Sequence, residues 1–167
     1  ATTDELEKRL KGNPLPFNLR GAAYLGKGDL AKERQSFEKA LAIQPDFFPA
    51  IRNLAQLDLR DGKADVARQR YTSLLERNPK NVAAMLELAD IAAAEKKDDD
   101  AISWIEKARA ADPKATAPRV RLIDAYIATN RPDKALTVAH ELEQAAPTDI
   151  VALQAVARSY AASNQPL

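Results

Sequence analysis

Small and large apolar residues return along this chain in fixed columns 34 positions apart, with polar residues filling the intervals. Gly21, Ala55, Ala89, Ile123 and Ala157 form one column, and Tyr24, Asp58, Ala92, Tyr126 and Tyr160 form another. Further columns run Glu33, Ala67, Ala101, Ala135, then Phe37, Tyr71, Ile105, Ala139, then Ala40, Leu74, Ala108, Leu142. Such alternation suits paired helices, because a point of close approach must be matched by filling nearby. The pattern predicts an all-α chain with helices over 4–11, 14–26, 30–43, 48–60, 64–77, 82–94, 98–110, 116–128, 133–145 and 150–163, and no strand. Short connections make consecutive helices antiparallel neighbours.

The breakers keep the same period. Pro45, Pro79, Pro113 and Pro147 stand 34 residues apart, each where a missing N–H and a ring clash would end a helix. Between them runs a turn column, Gly28, Gly62, Lys96, Asn130 and Asn164. Gly and Asn tolerate the left-handed conformation that stops a helix, so all of these but Lys96 suit that place. Asp29, Asn81, Thr116 and Asp149 are the expected N-caps, and Pro132 is placed as a first-turn proline. A period of this length is one helix–turn–helix unit repeated as a solenoid.

On these columns the chain resembles the tetratricopeptide repeat (TPR) family over nearly its whole length, best in Phe17, Gly21, Tyr24, Gly28, Phe37, Ala40 and Pro45. In that frame a single array holds full repeats at 14–47, 48–81, 82–115 and 116–149. Residues 4–11 read as the tail of a second helix and 150–167 as a first helix with its following turn, as in a piece of a longer array. Leu153, Val156 and Tyr160 are then expected to be exposed and to permit an end-to-end dimer. Departures are Glu33 in an alanine slot, Asp58 in an aromatic slot, Arg119 and Ala139 in large apolar slots, and Ile123 in a small one. Asp58 is expected to be partly solvated or hydrogen-bonded, since an unpaired buried carboxylate is costly.

The resemblance implies a right-handed superhelix whose concave groove, lined by first helices, binds a protein or peptide. Carried onto this chain, the groove columns are Asn18, Ala22 and Leu25, then Arg52, Gln56 and Leu59, then Leu86, Asp90 and Ala93. They continue through Val120, Asp124 and Ile127 to Gln154, Arg158 and Ala161. This lining implies small apolar shelves, with Arg52 and Arg158 as basic ends around acidic Asp90 and Asp124. The carboxylate clamp of chaperone-binding TPR domains is rejected. In one register its positions are Asn18, Ala22, Asn53, Ala83 and Glu87; in the next they are Arg52, Gln56, Glu87, Ala117 and Arg121. Neither set supplies the required cation cluster. The wording of 57–65 and 108–115 is also similar to the TPR lipoproteins of the bacterial PEP-CTERM/exosortase system, which implies an envelope-anchored scaffold.

Composition narrows the partners. With 25 basic and 24 acidic residues, no strong field steers the chain toward nucleic acid or anionic lipid. No run of about 18 apolar residues offers a membrane span, and the lack of cysteine excludes disulfides and thiolate metal sites.

Little chemistry stands out. His140, the one histidine, reads as a surface side chain on a second helix, and Trp104 as half-buried packing. Asp98, Asp99 and Asp100 lack the ligand spacing of a calcium loop and read as an acidic helix start. Gly21, Gly26 and Gly28 fall on helical columns with no strand before them, unlike a phosphate loop. No catalytic residue, cofactor or metal site is therefore assigned. The leading function is a non-catalytic interaction scaffold in bacterial envelope sorting or exopolysaccharide assembly; the alternatives are a substrate-recruiting segment of a larger regulatory protein or enzyme, and a self-assembly module.

Overall fold

The computed structural model describes residues 2–163, which form ten α-helices and no strand. They are α1 (Thr3–Arg9), α2 (Leu15–Leu25), α3 (Leu30–Ile43), α4 (Phe48–Arg60), α5 (Ala64–Arg77), α6 (Val82–Ala94), α7 (Asp98–Ala111), α8 (Thr116–Ala128), α9 (Pro132–Ala145) and α10 (Ile150–Ala162). The predicted all-α solenoid of antiparallel helix pairs is the fold observed, with α2/α3, α4/α5, α6/α7 and α8/α9 as the pairs. The chain divides into two compact units, one up to Arg77 and one from Asn78.

Two kinds of turn alternate, and both follow from local chemistry. Within each pair the first helix ends in a left-handed residue, Gly28, Gly62, Lys96 or Asn130, with φ of 72°, 74°, 60° and 55°. The next N–H then reaches back five residues: Asp29 to Tyr24, Lys63 to Asp58, Lys97 to Ala92 and Arg131 to Tyr126. This closure satisfies carbonyls left over at the helix end. Lys96 adopts the shape without being Gly or Asn, so position in the repeat overrides residue preference there. Asn164, the last member of that column, lies outside the described residues.

The turns between pairs place each proline at the second position of a β-turn. Phe47, Asn81, Ala115 and Asp149 donate to the carbonyls of Gln44, Asn78, Asp112 and Ala146. The preceding helices have already ended at Ile43, Arg77, Ala111 and Ala145. The residue before a proline is driven out of the helical region, so the stop comes a little ahead of the ring.

Asp29, Asn81 and Asp149 cap their helices as expected, and Pro132 opens α9. Thr116 does not cap: it is the first residue of α8, and Ala115 precedes it without a side-chain bond. At the start of the chain α1 is shorter than predicted, ending at Arg9; Thr2 and Glu5 form a capping box at its start.

In the first unit, Phe37, Ala40, Ala50, Leu54 and Leu57 form a buried cluster, with Phe17, Leu41 and Phe47 packed against it. Gly21 gives it a point of close approach: a Cβ there would stand 2.4 Å from the Phe37 ring, which would have to shift. In the α8/α9 pair of the second unit the size order is reversed, because Ile123 stands in the small column and Ala139 in the large one. Both are fully buried in one cluster with Leu122, Tyr126 and Leu142. Two departures thus compensate, since a core tolerates exchange that conserves volume.

Val156 corrects the expectation of an exposed end, being buried in that same cluster. Tyr160 is partly buried against it, and of the three named residues Leu153 alone is exposed. Arg119, in another apolar slot, turns its guanidinium onto the carbonyls of Ala115 and Pro113.

Candidate functional site

The first-helix face of the first unit carries Asn18, Leu25, Arg52, Gln56 and Leu59 on α2 and α4. Asn18 is half-buried, and Leu25, Arg52, Gln56 and Leu59 are exposed. The neighbouring helices are tied where Asn53 Nδ2 donates to Asn18 Oδ1 at 3.0 Å. Below that link lies a cleft of about 210 Å³. Ala22 and Leu25 line it from α2, Glu33 and Phe37 from α3, and Asn53, Gln56, Leu57 and Arg60 from α4. The structure therefore gathers Ala22, Leu25 and Gln56 from the predicted groove, while Arg52 and Leu59 lie outside the cleft lining.

Glu33 was missed as a site residue, although its intrusion into an otherwise alanine column was the available signal. It is 3% exposed. Its ion pair is a single, long one, from Arg60 Nη2 to Oε2 at 3.4 Å. Asp58, 2% exposed in the same unit, is held on both oxygens. Arg34 Nη1 donates to Oδ1 at 2.8 Å and Arg70 Nε to Oδ2 at 2.5 Å. Burial pushes the Asp58 carboxyl up, and the bonds from Arg70 and Arg34 outweigh it, leaving it below the usual carboxylate value. Asp58 is thus hydrogen-bonded as expected but not solvated.

A second cleft of the first unit, about 290 Å³, lies on another side, with walls that include Leu41, Ile51, Val66 and Arg77. It contains no comparably buried carboxylate.

In the second unit the predicted residues lie on α6, α8 and α10. Asp90, Asp124, Gln154 and Arg158 are exposed. The charges do not stand as separate acidic and basic patches. Arg158 donates through Nε and Nη2 to Asp124 Oδ1 at 3.0 and 2.8 Å, and Arg121 pairs with Asp90. Each predicted acid on this face is thereby neutralised by an arginine of the next first helix. Leu86, Val120 and Ile127 are half-buried against the core cluster, so they serve partly as packing.

Elsewhere, His140 is exposed, and its Nε2 lies 2.9 Å from the Tyr160 hydroxyl. Trp104 is half-buried, with the Lys107 ammonium 4.0 Å from its ring centre. Asp98, Asp99 and Asp100 occupy the first turn of α7, as predicted. Among the described residues no group of three His, Cys, Asp or Glu is placed to hold a metal ion. No helix among them is long and apolar enough to cross a membrane.

Three family models, each described as a tetratricopeptide repeat, match residues 17–47, 52–116 and 99–159. No curated protein sequence matches the chain. Among solved structures, TTC0263, a thermophilic TPR protein of Thermus thermophilus, is similar with a TM-score of 0.70 at 18% identity, over 97% of this chain and 87% of that one. The Cut9–Hcn1 hetero-tetramer of the APC/C gives 0.66 at 16% identity over 94% of this chain, which spans 32% of the matched chain. YrrB, described as a TPR protein with an unusual peptide-binding site, gives 0.60 at 19% identity, over 92% of this chain and 79% of that one. At these identities the likeness is one of fold. With the repeat columns, the helix pairs and the family matches in agreement, the chain belongs to the tetratricopeptide repeat family.

Proposed function

We propose that this chain is a non-catalytic scaffold that holds an extended peptide, or such a segment of a partner protein, on the first-helix face of its repeats. The observation that carries the reading is the cleft between α2, α3 and α4, with exposed Leu25 in its lining and a second exposed leucine, Leu59, on α4. Leu25 and Leu59 are 50% and 40% exposed, so they contribute little to the core and present apolar surface to a partner. The fold is consistent with a protein–protein interaction scaffold, and YrrB supplies a precedent for peptide binding within it.

A random peptide display library tests the reading with two variants. Leu25→Glu combined with Leu59→Glu should abolish peptide enrichment while leaving the helical circular dichroism intact. Val66→Glu, which alters the other cleft, should keep it. Equal enrichment by all three proteins would overturn the first-helix face as the binding surface. Placing this scaffold in bacterial envelope sorting rests on the wording of 57–65 and 108–115. Fractionation of source cells tests it, and recovery from the cytosol alone would reject it.

A further inference from the structure

We infer that the cleft between α2, α3 and α4 accepts a basic side chain of the bound peptide, an ammonium or guanidinium set against the Glu33 carboxylate. The inference rests on the scaffold reading above and names the side chain that this part of the scaffold selects.

Glu33 is the one acidic member of its column; Ala67, Ala101 and Ala135 fill the corresponding places in the other pairs. A carboxylate taken out of water needs counter-charge and hydrogen bonds to most of its lone pairs. Asp58 obtains both from two arginines within 2.8 Å, whereas Glu33 has one contact, at 3.4 Å. The side chain that makes this contact, Arg60, is itself 43% exposed. It stands at the cleft as a replaceable guanidinium. A peptide cation that displaced it would meet the carboxylate directly, and Arg60 could turn to water at small cost.

The walls suit the rest of such a side chain. Leu25, Phe37 and Leu57 offer apolar surface to the methylene stem of lysine or arginine. Asn53 gives its amide N–H to Asn18, which leaves its carbonyl oxygen available to a second N–H of the cation. An anionic side chain would meet the carboxylate as a like charge. An apolar one would bury Glu33 further without a partner, so both are selected against.

Nuclear magnetic resonance titration of the ¹⁵N-labelled chain tests this with three capped alanine–serine peptides. They are identical except for a central lysine, norleucine or glutamate. The lysine peptide should shift the amides around Leu25, Glu33 and Gln56 and bind about tenfold more tightly than the norleucine peptide, the scale of one charge-assisted contact. Glu33→Gln should remove that preference, and Arg60→Gln should strengthen lysine binding by removing the resident competitor. Glu33→Ala, the residue of the sister pairs, gives a second fold-compatible variant with the same expected loss. Equal binding of lysine and norleucine peptides, or unchanged lysine binding by both Glu33 variants, would overturn the basic pocket and leave the scaffold reading intact. No shift with any of the three peptides would also overturn the pocket, while the display library decides the scaffold reading separately.

Discussion

Asp58 and Glu33 are carboxylates buried to nearly the same degree in the same unit, yet their surroundings differ. Asp58 is closed off: two arginines occupy both oxygens, and one of them, Arg34, also binds Asp61 at 3.0 Å. Glu33 faces a cleft and has one distant partner. Burial alone therefore does not distinguish a structural charge from a functional one; unused hydrogen-bonding capacity next to accessible space does. The first carboxylate fastens α3, α4 and α5 together. The second leaves α2, α3 and α4 with something to offer a ligand.

Substitutions should separate the two roles. Asp58→Ala should cost the most, about 3–5 kcal/mol, because it leaves partly buried guanidinium groups without their anion; the denaturant midpoint measures it. Gly21→Ala should follow at about 1–3 kcal/mol, since its methyl group would intrude on Phe37 under the cleft floor. The same variant should weaken lysine-peptide binding. A smaller effect is expected from acid. The Asp58 carboxyl titrates below its ordinary 3.8 in the folded chain. Its contribution is full above that value and fades as pH falls through the lower folded one. Urea midpoints of the wild type should therefore drop through this window, and Asp58→Asn should show a shallower drop. Glu33→Ala should change stability least, within about 1 kcal/mol in either direction, because the Arg60 guanidinium it leaves behind is 43% exposed and can turn to water. A loss as large as that of Asp58→Ala would erase the distinction.

The fold was legible because its determinants are local and periodic. Breakers, caps and small–large columns recur every 34 residues, so ten helices could be placed with ends shifted by at most a couple of residues. The misses have local causes. Thr116 has the chemistry of a cap but sits one position late, and Val156 lies on the inward face of α10 against α8 and α9. The site was less legible. Column arithmetic found Leu25 and Gln56, but not that Arg158 and Asp124 neutralise each other across adjacent helices. Nor could it show that Glu33 opens on a cleft, because that depends on the reach of Arg60, 27 residues away. Asp58 announced itself only as an oddity; its arginines lie 24 residues before and 12 after it.

The reversed order of Ile123 and Ala139 bears on how such a chain could be recombined. Joining α2 or α4 to α9 would set a glycine or alanine opposite an alanine and leave a void. Joining α8 to α3 or α5 would force isoleucine against phenylalanine or tyrosine. Crossovers at the proline turns keep each matched couple intact; crossovers at the left-handed turns divide it. The heritable module is thus the whole helix pair, and chimeras cut through its middle should be recovered far less often than those cut between pairs.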